Sequence, residues 1–157
     1  MIHFILIIIG TVVVFYISNR SFTNKSDFNN ENDNNLSSKQ WWEKRRTRFN
    51  VGLIVAGFFS FVLYVILGAT LIMPYDEEFE ITLFTTVFQG FGYLFMMLIA
   101  NMFYNLGYYV DKNYNKTNSI TFRKRLFNCG FWFSFALPFI IPFLIVLQYL
   151  VEFSGNK

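Results

Sequence analysis

The sequence predicts an all-α fold, an integral membrane bundle of four helices. Four long stretches contain no Asp, Glu, Lys or Arg: residues 2–19, 49–75, 81–110 and 126–151. Their apolar residues form continuous runs, whereas a helix of a soluble protein carries them on one face. A helix needs about 20 mostly apolar residues to cross a bilayer. Within one membrane domain, the predicted transmembrane helices therefore occupy about residues 2–18, 50–73, 81–104 and 126–150.

The first predicted helix is the shortest of the four. Residues 2–18 are close to the lower limit of about 17 residues for a membrane span. An apolar run of this kind can also be a secretory signal, but no basic residue precedes it and no small-residue cleavage site follows it. We therefore expect an uncleaved membrane anchor.

The segment between the first two predicted helices has two parts. Residues 19–38 are rich in Asn, Ser and Asp and contain few apolar residues, which predicts a disordered cytoplasmic linker. Ser37 and Gln40 have the spacing of a capping box, so a helix is expected to begin there. Residues 39–49 combine Trp with Lys and Arg, a composition typical of a membrane interface.

The distribution of charge predicts the orientation of the helices. Of the 13 Lys and Arg residues, seven lie between residues 20 and 48 and five between 112 and 125. The turn after the second predicted helix contains Asp76, Glu77, Glu78 and Glu80 but no base. Because cytoplasmic loops carry the excess of Lys and Arg, we expect loops 19–49 and 111–125 in the cytoplasm and both chain termini outside. The expected location is the bacterial inner (plasma) membrane.

Nine basic and aromatic side chains are candidates for the lipid interface. Trp prefers the headgroup level, and a base beside an anionic leaflet is stabilised by about 1 kcal/mol. They either anchor the topology or form a dedicated site for a lipid headgroup or a partner protein. Anionic headgroups are the expected partners rather than nucleic acid, because the bases flank membrane helices. The nine residues are Trp41, Trp42, Lys44, Arg45, Arg46, Arg48, Arg123, Lys124 and Arg125.

Small and polar residues mark the helix faces expected inside the bundle. Gly52, Ala56 and Ser60 are spaced four apart, which places them on one face and allows a neighbouring helix to approach closely. In the third helix, a polar face with Thr85 and Gln89 should also point into the bundle. Gln89 is the first candidate for a functional polar residue, and a hydrogen bond that joins two helices is the simpler interpretation.

Pro138 and Pro142 lie on one face of the fourth predicted helix. Each proline removes a backbone N–H, so a bend is expected, with freed carbonyl groups that neighbours or water must satisfy. Broken helices of this kind line binding sites in transporters. A bent helix that serves only packing is the alternative.

Two segments resemble each other and suggest an internal repeat. Residues 45–52 and 123–130 align without a gap and share a basic cluster followed by Phe-Asn-x-Gly. If the similarity is not chance, the bundle consists of two parallel-repeat helical hairpins. Asn50, Asn105 and Asn128 each precede a glycine by two residues. We expect these three residues to form a polar collar at the cytoplasmic mouth of the bundle.

The predicted spans contain little reactive chemistry. Apart from tyrosines, and from His3 and Cys129 near their ends, they have no ionisable side chain. No catalytic residue, cofactor site or metal site is therefore predicted, and the protein is not expected to be an enzyme. The expected function is that of a non-enzymatic interaction or scaffold subunit of a membrane complex, with a membrane protein or further copies as partners. The alternative is a small oligomeric channel or pore-forming effector with the polar stripe of the third helix along its path.

Overall fold

The computed structural model describes residues 7–16 and 36–153, and these residues form helices joined by turns. The first helix, α1 (Ile7–Tyr16), packs against α2 (Ser38–Leu67) where Gly10 meets the ring of Phe58. A π-helical turn, Gly68–Ile72, extends α2. The 3₁₀ turn Leu137–Phe139 joins α4 (Ile120–Ala136) to α5 (Ile140–Gln148), and the π-helical turn Tyr149–Phe153 follows α5. The helices are α1 (Ile7–Tyr16), α2 (Ser38–Leu67), α3 (Leu83–Tyr114), α4 (Ile120–Ala136) and α5 (Ile140–Gln148).

The all-α fold predicted from the sequence is confirmed. Three continuous helical segments are long and apolar enough to cross a membrane: Ser38–Ile72, Leu83–Tyr114 and Ile120–Phe153. Each of them extends beyond the apolar span predicted for it, on the side where the bases lie. The predicted interfacial segment 39–49 is accordingly the helical beginning of α2. Of the predicted first span and the predicted linker, residues 2–6 and 17–35 lie outside the described residues.

Side-chain caps decide where the long helices begin. Ser37 accepts a hydrogen bond from the backbone N–H of Gln40, and the Gln40 side chain accepts from the N–H of Ser37, so the predicted capping box is confirmed. Thr82 and Thr85 form the same reciprocal arrangement at the start of α3. These side chains satisfy backbone N–H groups that the first turn of a helix leaves without partners.

Helix α2 and the α4–α5 segment lie side by side and run in the same direction. The rings of Phe49 and Phe127 are 6.5 Å apart near one end, and Ser60 bonds to Pro138 farther along. Both pairs join residues that differ by 78 in sequence, the offset at which the suggested repeat aligns. The small-residue face of α2 is buried in this contact, and Gly52 lies against the ring of Phe131.

Helix α3 runs antiparallel to both of these helices. The turn at residues 73–82 connects it to α2 and carries the acidic residues, and this end of the bundle is called the acidic end. At the opposite, basic end, α2 and α4 begin and α3 ends. A cluster around Trp42, Phe49 and Tyr104 forms the core at the basic end, and a smaller cluster around Tyr64 and Ile145 forms the core at the acidic end.

Candidate functional site at the basic end

Five aromatic rings from three helices form the centre of the basic end. Trp41, Trp42 and Phe49 come from α2, Tyr104 from α3 and Phe127 from α4, and none is more than 4% exposed. Trp42 meets Tyr104 nearly edge-on with 5.1 Å between ring centroids, and Phe49 lies 4.7 Å from Tyr104. Tyr104 also donates a hydrogen bond from its hydroxyl to the backbone carbonyl of Trp42. The rings therefore hold the three helices together at the end where the charges lie.

A buried ion pair joins the last turns of α3 to the first turns of α4. Nε of Arg123 donates to Oδ2 of Asp111 at 2.8 Å, and the two side chains are 2% and 0% exposed. Nε1 of Trp42 donates to the same oxygen at 3.1 Å, and the Ser38 hydroxyl also donates to it. The amide of Asn115 donates to the other carboxylate oxygen at 2.7 Å. Because each oxygen has a donor, the cost of burying this carboxylate is largely offset.

The guanidinium of Arg123 makes further contacts that hold the chain around the ion pair. It donates to the backbone carbonyl of Leu36, which precedes α2, at 3.2 Å. It also donates to the side-chain oxygen of Asn118 in the turn between α3 and α4. Asn118 has a positive φ of 54°, a conformation that Asn tolerates better than most residues. Asp111 and Arg123 therefore connect α2, α3, α4 and the turn before α4.

The sequence pattern alone does not single out Asp111 as a buried residue. It directly follows the charge-free stretch 81–110, which places it in the predicted cytoplasmic loop 111–125 rather than in the predicted helix. A signal was present, because Asp111 is the only acidic residue between Glu80 and Glu152. An isolated carboxylate among several bases can gain an ion pair on folding.

Four of the nine side chains assigned to the lipid interface are buried within the chain. Trp41, Trp42, Arg45 and Arg123 are at most 4% exposed, so within this chain they contact protein and not headgroups. The guanidinium of Arg45 lies 3.8 Å over the ring of Trp41, and its Nη1 donates to the Trp41 carbonyl at 3.3 Å. The five others remain accessible: Lys44, Arg46 and Arg125 are exposed, and Arg48 and Lys124 are half-buried.

The three asparagines of the predicted collar have separate environments. The Asn101 amide donates to the side-chain oxygen of Asn50 at 2.9 Å, which joins α3 to α2. Asn105 accepts a hydrogen bond from the Arg46 guanidinium. Asn128 is exposed on α4. Within residues 36–153, the hydrogen bonds of Asn50 and Asn105 thus run to other side chains, and none joins two members of the predicted collar.

The two prolines lie where the fourth predicted helix changes its form. The 3₁₀ turn Leu137–Phe139 contains Pro138, and Pro142 follows in the first turn of α5. Both are buried. The Ser60 hydroxyl donates to the Pro138 carbonyl at 2.6 Å. This carbonyl is the one that Pro142 leaves without a backbone donor, so a neighbouring helix satisfies it.

The half of α3 nearer the acidic end has few contacts within the chain. No residue from Leu83 to Ile99 is buried, and the first buried residue of α3 is Ala100. This segment, Leu83–Ile99, is called the outer half of α3. Gln89 is half-buried, and its amide makes no hydrogen bond within the described residues. A side chain added at Gly92 would meet no atom within 4 Å.

The basic end contains one buried carboxylate, that of Asp111. This carboxylate is committed to Arg123 and three other donors. In the part of the chain that the structure describes, no three His, Cys, Asp or Glu side chains are grouped to hold a metal ion. Comparisons with protein-family models, curated proteins and solved structures find no match to this chain.

Proposed function

We propose that the protein is a non-enzymatic interaction subunit of a membrane complex, and that a helix of another chain packs against the outer half of α3. The observation that carries this proposal is the lack of buried residues from Leu83 to Ile99 in a helix long enough to span a membrane. Within this segment Tyr93 donates a hydrogen bond to the Leu53 carbonyl, and the remainder of α3 is held by Tyr104, which donates to the Trp42 carbonyl.

The composition of the outer half favours a protein neighbour over lipid alone. A Gln side chain in hydrocarbon requires a hydrogen-bond partner, and Gln89 has none within the described residues. Gly92 lies on the same side of α3, one turn away, and leaves its backbone open to close approach. A polar side chain beside a small residue is a common means of helix association in membranes.

Site-specific photo-crosslinking in native membranes tests this proposal. A photoreactive phenylalanine analogue at Phe88 or Phe95 would lie about one helical turn from Gly92. Phe143 on α5 provides the matched control, because it is 64% exposed and Phe95 is 66% exposed. We expect protein adducts at Phe88 and Phe95, weak adducts at Phe143, and weaker α3 adducts when Gln89→Leu is added. Mass spectrometry of the adducts identifies the partner as a second copy or another protein. Equal labelling at all three positions, or lipid adducts alone, would contradict the proposal.

Flux measurements on purified protein in liposomes test the alternative function of an oligomeric channel. A scaffold subunit leaves the liposomes impermeable to ions. Steady ion conductance that Gln89→Leu abolishes would instead assign the polar side chains of α3 to a path between copies, and the scaffold proposal would be rejected.

We also propose that the basic end faces the cytoplasm of a bacterial cell, in its inner membrane, with both termini outside. The support is the positive-inside rule, applied to the bases around the starts of α2 and α4 and to the acidic turn at the other end.

A further inference from the structure

A cavity of about 260 Å³ lies on the side of the basic end where the first turns of α2 face the last turns of α3. Its lining is more polar than that of the aromatic core beside it. Helix α2 contributes two cationic side chains and one carboxylate to the lining. Helix α3 contributes an asparagine and two tyrosines, and two further aromatic rings lie beneath them. The lining residues are Lys39, Trp42, Glu43, Arg46, Tyr104, Asn105, Tyr108 and Tyr109.

The two cations of this cavity lie on one face of α2. Lys39 and Arg46 are seven residues apart, which is about two helical turns, so both side chains flank the same cavity. Glu43 lies between them and is the only carboxylate in the lining. Its oxygen is 3.9 Å from Nζ of Lys39, and these side chains are 63% and 71% exposed. An ion pair this exposed is weak, so Lys39 is available to an anion.

Arg46 is held in position by α3. Its guanidinium donates one hydrogen bond to Asn105 and lies 5.4 Å over the ring of Tyr104. A guanidinium has five N–H donors, so most of them are left for a ligand. The planar fork of Arg matches two oxygens of a phosphate group, and the nearby hydroxyls of Tyr108 and Tyr109 can donate to the same anion.

The position of the cavity along the helices indicates where such an anion comes from. Arg46 precedes the charge-free stretch 49–75 by three residues, and Tyr108 and Tyr109 lie at the end of the stretch 81–110. These are the places where the apolar spans end, and Tyr and Trp side chains are enriched at this depth. The exposed ring of Tyr109 beside the cations provides a surface for the glycerol and upper acyl carbons of a lipid.

We propose that the cavity between Lys39, Arg46 and the α3 tyrosines binds the phosphate group of an anionic phospholipid. Lys39 and Arg46 neutralise the phosphate, Arg46 orients it through paired hydrogen bonds, and the ring of Tyr109 contacts the lipid stem. The α2–α3 pair then carries a lipid at the level of the headgroups. This site is separate from the outer half of α3, so its test is independent of the proposed interaction function.

Native mass spectrometry of the purified full chain in detergent tests the site, with phosphatidylglycerol and phosphatidylcholine as probes. We expect phosphatidylglycerol to bind more tightly. The double variant Lys39→Gln/Arg46→Gln should weaken its binding about tenfold or more, because charge-assisted hydrogen bonds are lost. The matched control is Lys116→Gln/Arg125→Gln, which removes the same charge from exposed positions of the same end. It should change binding by less than about twofold, because exposed charges at a distance are screened.

A variant that is expected to tighten lipid binding distinguishes binding in the cavity from a general effect of charge. Glu43→Gln removes the carboxylate that competes for Lys39 and should tighten phosphatidylglycerol binding about two- to fivefold. Equal losses in the two double variants would overturn the proposal in favour of nonspecific attraction, and equal binding of the two lipids would overturn it as well. Displacement of the lipid by millimolar inorganic phosphate would identify free phosphate as the ligand and reject the lipid. Retained lipid binding in excess phosphate would support the phospholipid as the ligand.

Discussion

The hydroxyl of Ser60 donates a 2.6 Å hydrogen bond to the backbone carbonyl of Pro138. In a regular α-helix, this carbonyl would accept from the N–H four residues later, but residue 142 is a proline without an N–H. The buried Ser60 supplies the missing donor from α2. The bend between α4 and α5 is thus joined to its neighbour by a specific polar contact.

Replacement of Ser60 by Ala should therefore destabilise the bundle. The Pro138 carbonyl would lose its donor in a buried environment, and the free energy of unfolding should fall by about 1 kcal/mol. Unfolding in mixed micelles, followed by circular dichroism, measures the change. In a Pro142→Ala background, the new alanine supplies a backbone N–H, and Ser60→Ala should cost less. Thr70→Ala is the control, because the exposed Thr70 hydroxyl bonds only within its own helix. The same cost in both backgrounds would show that Ser60 does not replace the missing N–H.

The ion pair of Asp111 and Arg123 should contribute strongly to stability. Asp111→Asn leaves the Arg123 guanidinium buried without its counterion, and we expect a loss of about 3 kcal/mol in the free energy of unfolding. Glu43→Gln makes the same chemical change in the exposed pair with Lys39 and should cost less than about 0.5 kcal/mol. Equilibrium unfolding of the two variants under one condition gives the comparison. Similar small losses would mean that the buried pair is replaceable by neutral hydrogen bonds.

Gly57 should be intolerant of a side chain, whereas Gly130 should not. The ring of Tyr93 occupies the space that a Cβ at Gly57 would need, but a Cβ at Gly130 would meet no atom within 4 Å. Gly57→Ala should lower the free energy of unfolding by about 1 to 3 kcal/mol through overpacking. Gly130→Ala should raise it by about 0.5 to 1 kcal/mol, because Ala loses less backbone entropy in a helix. Thermal unfolding of both variants tests the difference. Stabilisation by both would indicate that α2 and α3 do not approach closely at Tyr93.

The proposed orientation predicts the location of reporters in cells. A reporter fused after Lys157 should be outside, and one inserted near Asn32 should be cytoplasmic, because the bases around the starts of α2 and α4 favour the cytoplasmic side. Paired enzymatic reporters that are active on opposite sides of the membrane measure this directly. The reverse pattern would overturn the orientation, but it would leave the helix contacts described above unchanged.

Local features of the chain were predictable because their causes lie close together in sequence. The apolar spans follow from residue composition, and the start of α2 follows from the capping chemistry of Ser37 and Gln40. The freed carbonyl near Pro138 follows from the absence of an N–H in proline. The close approach at Gly52, Ala56 and Ser60 follows from their size and spacing. None of these statements requires knowledge of which helices are neighbours.

The lipid-interface assignments show that local sequence does not distinguish a side chain at the headgroups from one buried in the bundle. Trp41, Trp42, Arg45 and Arg123 have the composition of an interface, yet the structure buries them. The same side chains can anchor a helix at headgroups or pack inside a bundle, since both environments offer apolar contact and polar partners. Only the positions of α3 and α4 decide between the two.

The sequence by itself determined that the chain is helical, that long apolar segments occur between charged ends, and where single helices begin and bend. The tertiary structure alone decided that Asp111 meets Arg123, that Ser60 reaches Pro138, and that the outer half of α3 contains no buried residue. The physical reason is the separation in sequence between the residues that interact. Helix formation and membrane burial depend on neighbouring residues, whereas ion pairs, cavities and open faces depend on residues brought together from distant parts of the chain.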